Sequence, residues 1–421
     1  MIIEPARRTL SVKEYYFSLK NKEIAGINAD RASRGLDPVI NLGVGSPDGA
    51  PSPAVVGALC DCARRSGTHG YQGYTGLPEL REAIADWYAR WYGVPLDPAT
   101  EIQPLMGSKE GILLLSLAFL NPGDKVLVPN PGYPTYTSAT RMCEAELLTY
   151  DLVEADGWYP DFESLEKTDL TGVKIMWVNY PNMPTGAPAR RDVFEKLVDF
   201  ARRHGILLVN DNPYSFILNE PQSILSVPGA REVCLEMNSL SKSHNMAGWR
   251  VGMIVGAADV LKELLKVKTQ MDSGMFRGIQ EAAVEALKAD AAWYEGLNAE
   301  YRRRQVLARR IMDALGCVYD PSAGGLYVWA RVPCSKTPLS VREAAEKGTS
   351  PAAELSDRIL YEAGVFLTPG FIFGSGGENH LRISLCADVP TLERAYGKIL
   401  HFVQNDKGGM QNDKGGMQND R

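Results

Sequence analysis

Apolar residues in the middle of this chain fall into short, dense runs. They predict strands at Lys125–Pro129, Ala145–Tyr150, Val173–Asn179, Ile206–Val209, Val233–Met237 and Val251–Val255. Between them the apolar spacing switches to helical periodicity, over Ile112–Leu120, from Pro131 to Tyr136 onward, and over Arg191–His204. Two further helices, Ala54–Arg65 and Leu77–Tyr92, precede the first run. Alternation of apolar strands with helices predicts an α/β fold, a mostly parallel sheet covered by helices on both faces. Ligands of such sheets lie beyond the carboxyl ends of the strands. Chemistry is therefore sought in the residues that follow each run.

The flanks read differently. Ser11–Arg34 predicts an amphipathic helix and a turn, and Pro38–Gly45 a short strand ending in glycines. Ser46–Pro53 is rich in breakers and marks a boundary. A long charged helix, Tyr294–Leu315, leads to a strand within Ala323–Arg331, a helix at Glu354–Ala363 and a strand at His380–Leu385, a smaller α+β domain. The expected organisation is an arm and part of the small domain at 1–45, a large domain at 46–295, the small domain at 296–403 and a tail at 404–421. In that tail Gln404-Asn-Asp-Lys-Gly-Gly-Met410 repeats. Its paired glycines are expected to break any helix and leave a flexible, low-complexity segment.

The densest chemistry lies in Asn238-Ser-Leu-Ser-Lys-Ser-His-Asn-Met-Ala-Gly-Trp-Arg250, directly before the run at Val251. Burial favours the neutral form of an amine, the form that attacks a carbonyl. Ser239 and Ser241 can donate to an anion, and Arg250 can grip one with two parallel bonds. A lone lysine is most often a solvated loop residue. Lys242 in this company points to a Schiff-base lysine beside a phosphate site, as pyridoxal phosphate (PLP) chemistry requires. Gly107 and Ser108, before the predicted helix at Ile112, offer the free N–H groups of a helix N-terminus to the same anion. Lys109 shares that turn, its backbone N–H the better ligand.

Ser239-Leu-Ser-Lys242 with Gly248-Trp-Arg250 resembles the PLP-lysine signature of the class I/II aminotransferases, and further matching motifs run from about Gly43 to Arg382. The resemblance implies PLP fold type I, and roles at specific positions. Lys242 would hold the cofactor and shuttle the proton. Asp211 would face the protonated pyridine nitrogen, Tyr214 would bind the 3′-oxygen, and Tyr133 would stack on the ring. Gly107, Ser108, Lys109, Ser239, Ser241, Arg250 and a partner subunit's tyrosine at the position of Tyr71 would hold the phosphate. Arg382 would bind the substrate α-carboxylate, with Gly45 beside the substrate. Each has a plainer alternative: Tyr71 packed on its own chain, Tyr133 and Tyr214 in the core, Asp211 in a turn, Arg382 facing water at a sheet edge.

One position departs from the family. Asn179-Tyr-Pro-Asn-Met-Pro-Thr-Gly186 carries Met183 where the family usually has the asparagine that donates to the 3′-oxygen. Methionine cannot donate. Either Asn182 replaces it, or Tyr214 acts alone and the lysine–cofactor adduct has a raised pKa.

The resemblance implies a homodimeric transaminase moving an amino group from an L-amino acid to a 2-oxo acid, 2-oxoglutarate foremost. The Asp272-Ser-Gly-Met-Phe-Arg-Gly-Ile-Gln280 stretch and the Gly107-Ser-Lys109 loop are most similar to LL-diaminopimelate aminotransferases and their relatives. Arg277 could answer a second carboxylate, or be an exposed arginine at a helix start. The same site could instead serve a β- or γ-lyase. A PLP-binding regulator would need a basic DNA-binding module, which neither end offers.

Composition narrows the classes further. A net charge of −6 with no long Lys/Arg run argues against a nucleic-acid partner. No run approaches membrane-spanning length, and the N-terminus lacks an apolar signal core, so a cytoplasmic protein is expected. Seven scattered cysteines and five dispersed histidines suggest reduced thiols and no metal site.

Overall fold

A computed structural model describes residues 2–333 and 349–415, with side chains to residue 405. Contacts divide the chain into two compact units: residues 1–13 with 46–299, and 14–45 with 300–421.

The first unit is built on an eight-stranded sheet. Its order is Ile102–Leu105, Gly252–Gly256, Cys234–Ser239, Leu207–Asp211, Val173–Val178, Lys125–Asn130, Glu146–Val153 and Tyr159–Pro160. The five strands from Cys234–Ser239 to Glu146–Val153 are mutually parallel. Their side chains, Val126, Ile175, Trp177, Val209, Leu235 and Met237 among them, are fully or almost fully buried in one core cluster. This is why the strands read as unbroken apolar runs rather than alternating ones. Each such side chain is worth about 1.5–3 kcal/mol when removed from water.

Gly252–Gly256 runs against this grain. It pairs antiparallel with Cys234–Ser239 on one side and with Ile102–Leu105 on the other. The register sets Gly252 opposite both Ser239 and Leu105. A reversed strand begins where its neighbours end. Arg250, which precedes its strand, thereby reaches the same sheet edge as Ser108 and Lys242, which follow theirs.

Helix ends differ modestly from the sequence reading. The helix expected from Ile112 begins at Ser108 and runs to Phe119, and a further helix spans Arg277–Ala286. Burying Leu80, Ile84, Trp87, Tyr88 and Tyr92 fixes the helix Pro78–Tyr92, which Gly93 closes in a left-handed conformation.

In the second unit a four-stranded antiparallel sheet joins Val318–Tyr319, Tyr327–Arg331, His380–Ser384 and Thr368–Pro369. A two-stranded parallel pair joins Ile40–Asn41 to Val365–Phe366. The last helix extends into the tail. It spans Val389–Gly415 and passes through Gly408 and Gly409, where a break was expected. Once a helix is nucleated each added residue brings one hydrogen bond, so a glycine costing about 1 kcal/mol need not stop it. The remainder of the repeat and Cys334 lie outside the described residues. Cys60, Cys62, Cys143 and Cys234 are free thiols. Among the described residues no helix is long and apolar enough to cross a membrane, and no cluster of His, Cys, Asp and Glu is placed to hold a metal ion.

Candidate active site

The carboxyl edge of the first unit's sheet gathers most of the residues singled out above. Asp211 ends the strand Leu207–Asp211 and is 5% exposed. Tyr136, in the helix Pro134–Met142, donates its hydroxyl proton to Asp211 Oδ2 at 2.9 Å. The Asp211 backbone carbonyl accepts from the Asn179 side chain. Asp211 Oδ1 has no hydrogen-bond partner among the described residues.

Burial pushes the Asp211 carboxyl up to about 7, against the opposing pull of the Tyr136 hydrogen bond and the charge of Lys242. A buried carboxylate with one open oxygen calls for a cation. The ring nitrogen of a protonated pyridine is such a group, and the Lys242 amine is near enough for its charge to register on Asp211.

Three tyrosines gather here, one of them bonded to the carboxylate. Tyr136 is stacked on Trp177 at 5.0 Å and 4° and meets Tyr133 edge-on at 5.5 Å. Its phenol is held well above the usual range by burial first, then by Asp211, with smaller contributions from Tyr133 and Tyr214. Tyr133, at the N-cap of the Pro134 helix, is half-buried, and Tyr214 is buried. Tyr136 was not among the residues chosen from sequence. Its signal was present in Pro131-Gly-Tyr-Pro-Thr-Tyr136, because a spacing of three puts both tyrosines on one helical face.

The anion side of the site is equally built. Gly107 has φ +83°, and a Cβ there would lie 2.0 Å from Arg250 Nη2. A Cβ on Gly252 would lie 2.8 Å from the backbone nitrogen of Ser108. Both glycines therefore keep space at the N-terminus of the helix Ser108–Phe119, where free N–H groups favour an anion. Arg250 is exposed, in a left-handed conformation, with Nη1 donating to the Ala247 carbonyl at 2.8 Å. Lys109 is brought to the same place; partial desolvation first, then the Arg250 charge, lowers its pKa. Two cations facing one helix N-terminus suit a dianion.

Ser239 caps the short helix Leu240–Ser243, accepting from the Ser241 backbone N–H at 3.1 Å, and its hydroxyl lies 2.8 Å from that of Ser241. Lys242 is half-buried on that one-turn helix. His244 is buried between the Ser243 and Tyr294 hydroxyls, and burial pushes it down to about 3, so it stays neutral. Tyr71 is 93% exposed, so it does not pack on its own chain.

The loop with Met183 settles the position of Asn182. Asn182 Nδ2 donates to the Asn179 carbonyl at 3.1 Å, and its Oδ1 accepts from the Thr185 hydroxyl at 2.7 Å and backbone N–H at 3.3 Å. Asn182 is spent on its own turn, and Met183 is buried. Arg277 lies at the first position of its helix and donates through Nε to Glu281 at 2.7 Å, a carboxylate it shares with Arg65.

In the second unit Arg382 is 4% exposed. Its guanidinium sits 4.0 Å from the Tyr327 ring centroid and 4.7 Å from that of Phe373, and Nη2 donates to the Gly43 carbonyl at 3.0 Å. The water-facing alternative is thereby excluded. A Cβ on Gly45 would lie 1.8 Å from the Tyr327 hydroxyl, so this backbone closely approaches that ring.

A family model, aminotransferase class I and II, matches residues 37–399. The chain belongs to that family. It is a PLP-dependent aminotransferase, and its mostly parallel sheet flanked by helices is PLP fold type I. It is similar to the LL-diaminopimelate aminotransferase of Oleidesulfovibrio alaskensis, 39% identical over 398 residues that cover 94% of this chain and 98% of that one. It is also similar to the enzyme of that name from Aquifex aeolicus, 39% identical over 373 residues, 88% of this chain and 92% of that one. Among solved structures it is similar to substrate-bound BacF from Bacillus subtilis, with a TM-score of 0.86 and 34% identity over 96% of this chain and 98% of that one. A mutant aspartate aminotransferase of Thermus thermophilus gives a TM-score of 0.83 at 27% identity, over 95% of this chain and all of the other.

Proposed function

We propose that this aminotransferase takes a diaminopimelate-type L-amino acid as donor and a 2-oxo acid, 2-oxoglutarate foremost, as acceptor, with Lys242 as its cofactor-bearing and proton-moving residue. The observation that carries the assignment of the site is Asp211: buried, fixed through one oxygen, open at the other, and within reach of the Lys242 charge. The donor class is supported by the LL-diaminopimelate name shared by several relatives and by the Asp272–Gln280 stretch.

When bound, PLP supplies an aldehyde that condenses with amines and a ring that accepts the electron pair left when the α-proton departs. Lys242 is the amine that would hold the cofactor and give way to the incoming donor. Its Nζ, once released, would take the proton from the substrate α-carbon and return it later in the reaction, acting as base and then acid. Asp211 keeps the ring nitrogen protonated. Tyr214 donates to the ring oxygen without help from an amide at position 183. Tyr133 offers its face to the ring. Gly107, Ser108, Lys109, Ser239, Ser241 and Arg250 hold the phosphate. Tyr71 is proposed to do so from a partner subunit, which requires a homodimer and accords with its full exposure.

Arg382 is proposed as the ligand of the α-carboxylate, with Gly45 beside it. Its support is local: a buried guanidinium oriented by two rings and one carbonyl has lost little freedom left to pay on binding a planar carboxylate. Arg277 is already paired with Glu281 and is not proposed for a second carboxylate.

The test is a screen of amino donors, including LL-diaminopimelate, aspartate and aromatic amino acids, with 2-oxoglutarate and chromatographic detection of glutamate. Fastest turnover with LL-diaminopimelate is expected. Preference for another donor by tenfold or more overturns the donor assignment, and release of pyruvate and ammonia from a single substrate points to a lyase.

A further inference from the structure

Lys268 is 1% exposed, which is unusual for a lysine. It ends the helix Ala258–Lys268 and lies between two carboxylates, pairing with Glu110 Oε1 at 3.0 Å and with Asp272. Neither carboxylate is free to move. Glu110 Oε2 accepts the backbone N–H of Met106 at 2.6 Å, and Asp272 Oδ1 accepts that of Gly274 at 2.8 Å. Gly274, at φ +82°, lies against the next loop so closely that a Cβ would meet the Gln72 carbonyl at 2.5 Å.

These contacts lead to the anion site. Glu110 is the third residue of the helix whose N-terminus carries Gly107 and Ser108, and Met106 directly precedes that glycine. By bonding the Met106 N–H, Glu110 fixes the bend between the strand Ile102–Leu105 and the helix. Yet its charge lies in the first turn, where a carboxylate competes with any other anion for the same end of the helix. A bend held by a carboxylate and a site open to a phosphate dianion are compatible only if that charge is compensated. Lys268 compensates it, from a buried position where screening by water is weak.

We propose that Lys268 is a positioning residue of the phosphate cradle: it holds Glu110 against the Met106 N–H while offsetting its charge, so that the helix N-terminus is presented to phosphate. Through Asp272 and Gly274 the same ammonium ties the cradle to the loop that bears Tyr71 and Gln72. The inference rests on the reading that Gly107, Ser108 and Arg250 hold the cofactor phosphate.

The experiment compares apoenzyme affinity for PLP with that for pyridoxal, which lacks the phosphate. Wild type should prefer PLP strongly, and Arg250→Met should collapse the preference. Lys268→Met should lower it by at least tenfold, with pyridoxal affinity little changed. Lys268→Met/Glu110→Gln should recover most of it, because the charge left unpaired in the first turn of the helix is gone, Asp272 lying outside that helix, while the glutamine oxygen still accepts from Met106. Where Lys268→Met does not fold, the same comparison is made in an Asp272→Asn background, in which Glu110 alone stays uncompensated. If the preference is unchanged, or both affinities fall together with no recovery on adding Glu110→Gln, Lys268 is merely structural and the inference fails. An unchanged preference in Arg250→Met overturns the phosphate reading instead.

Discussion

The hydroxyl of Tyr136 lies 2.9 Å from one carboxylate oxygen of Asp211, and the other oxygen of that carboxylate, though buried, has no hydrogen-bond partner among the described residues. The asymmetry divides the labour of one side chain. Oδ2 is fixed by a phenol that is itself pinned flat against Trp177, and Oδ1 is left to the cofactor.

Removing that phenolic donor should therefore weaken the cofactor without unseating the fold. Tyr136→Phe leaves Oδ2 bare in a buried place and forfeits a hydrogen bond to a charged group, worth about 1.5–3 kcal/mol. PLP affinity is expected to drop roughly tenfold or more on that account, read by fluorescence titration of the apoenzyme. Affinity equal to wild type would mean that Tyr136 does not orient Asp211.

Asp211 also sets a pH dependence in the apoenzyme. Its carboxyl lies near 7 in the folded chain against 3.8 as the ordinary value. Below about pH 4 both states hold the proton and the residue has no effect on stability. From about pH 4 to 7 the unfolded chain ionises while the folded one keeps its proton, so stability falls as pH rises. Above about 7 the full cost, of order a few kcal/mol, is present. Asp211→Asn carries no such titration. The apo variant should match wild type in Tm at pH 4 and exceed it at pH 8, the gap opening across that window. A gap independent of pH would contradict the assignment.

Space at the cradle can be tested with one methyl group. Gly252→Ala places a Cβ 2.8 Å from the Ser108 nitrogen, so the helix N-terminus must shift. Overpacking of this kind costs about 1–3 kcal/mol, and here part of it should appear as weaker PLP binding. Gly57→Ala, in a helix with nothing within 4 Å of the added atom, serves as the control and should bind PLP as wild type does. Equal affinities in the two variants would show that the cradle does not need the space.

Met183 predicts a spectroscopic change. With Asn182 committed to Thr185 and Asn179, an asparagine at 183 would restore a missing amide donor to the ring oxygen. A donor favours the deprotonated holoenzyme chromophore, so Met183→Asn should lower the pKa of its visible absorbance change by about one unit. A pKa that stays put or rises would exclude this role.

The order of strands and helices was legible because buried parallel strands leave dense apolar runs, and the boundaries moved by only a few residues. The strand at Gly252 was visible as a run, but its direction was not. Only pairing with Ser239 and Leu105 reveals that it is reversed, and that reversal brings Arg250 to the ligand edge. Lys242, Asp211 and Arg250 stood out because their polarity is anomalous beside core strands. Tyr136 and Lys268 did not, since a helical tyrosine and a helix-end lysine are ordinary in sequence and become informative only through partners 75 and 158 residues away. The glycine pair in the tail shows the converse, a breaker overridden by the helix preceding it.

The most direct test of the account is chemical capture of the lysine. Holoenzyme reduced with borohydride and digested should yield one phosphopyridoxyl peptide, with the label on Lys242, and Lys242→Ala should neither take the label nor show the visible band. Label on another lysine, or a visible band that survives in Lys242→Ala, would contradict it.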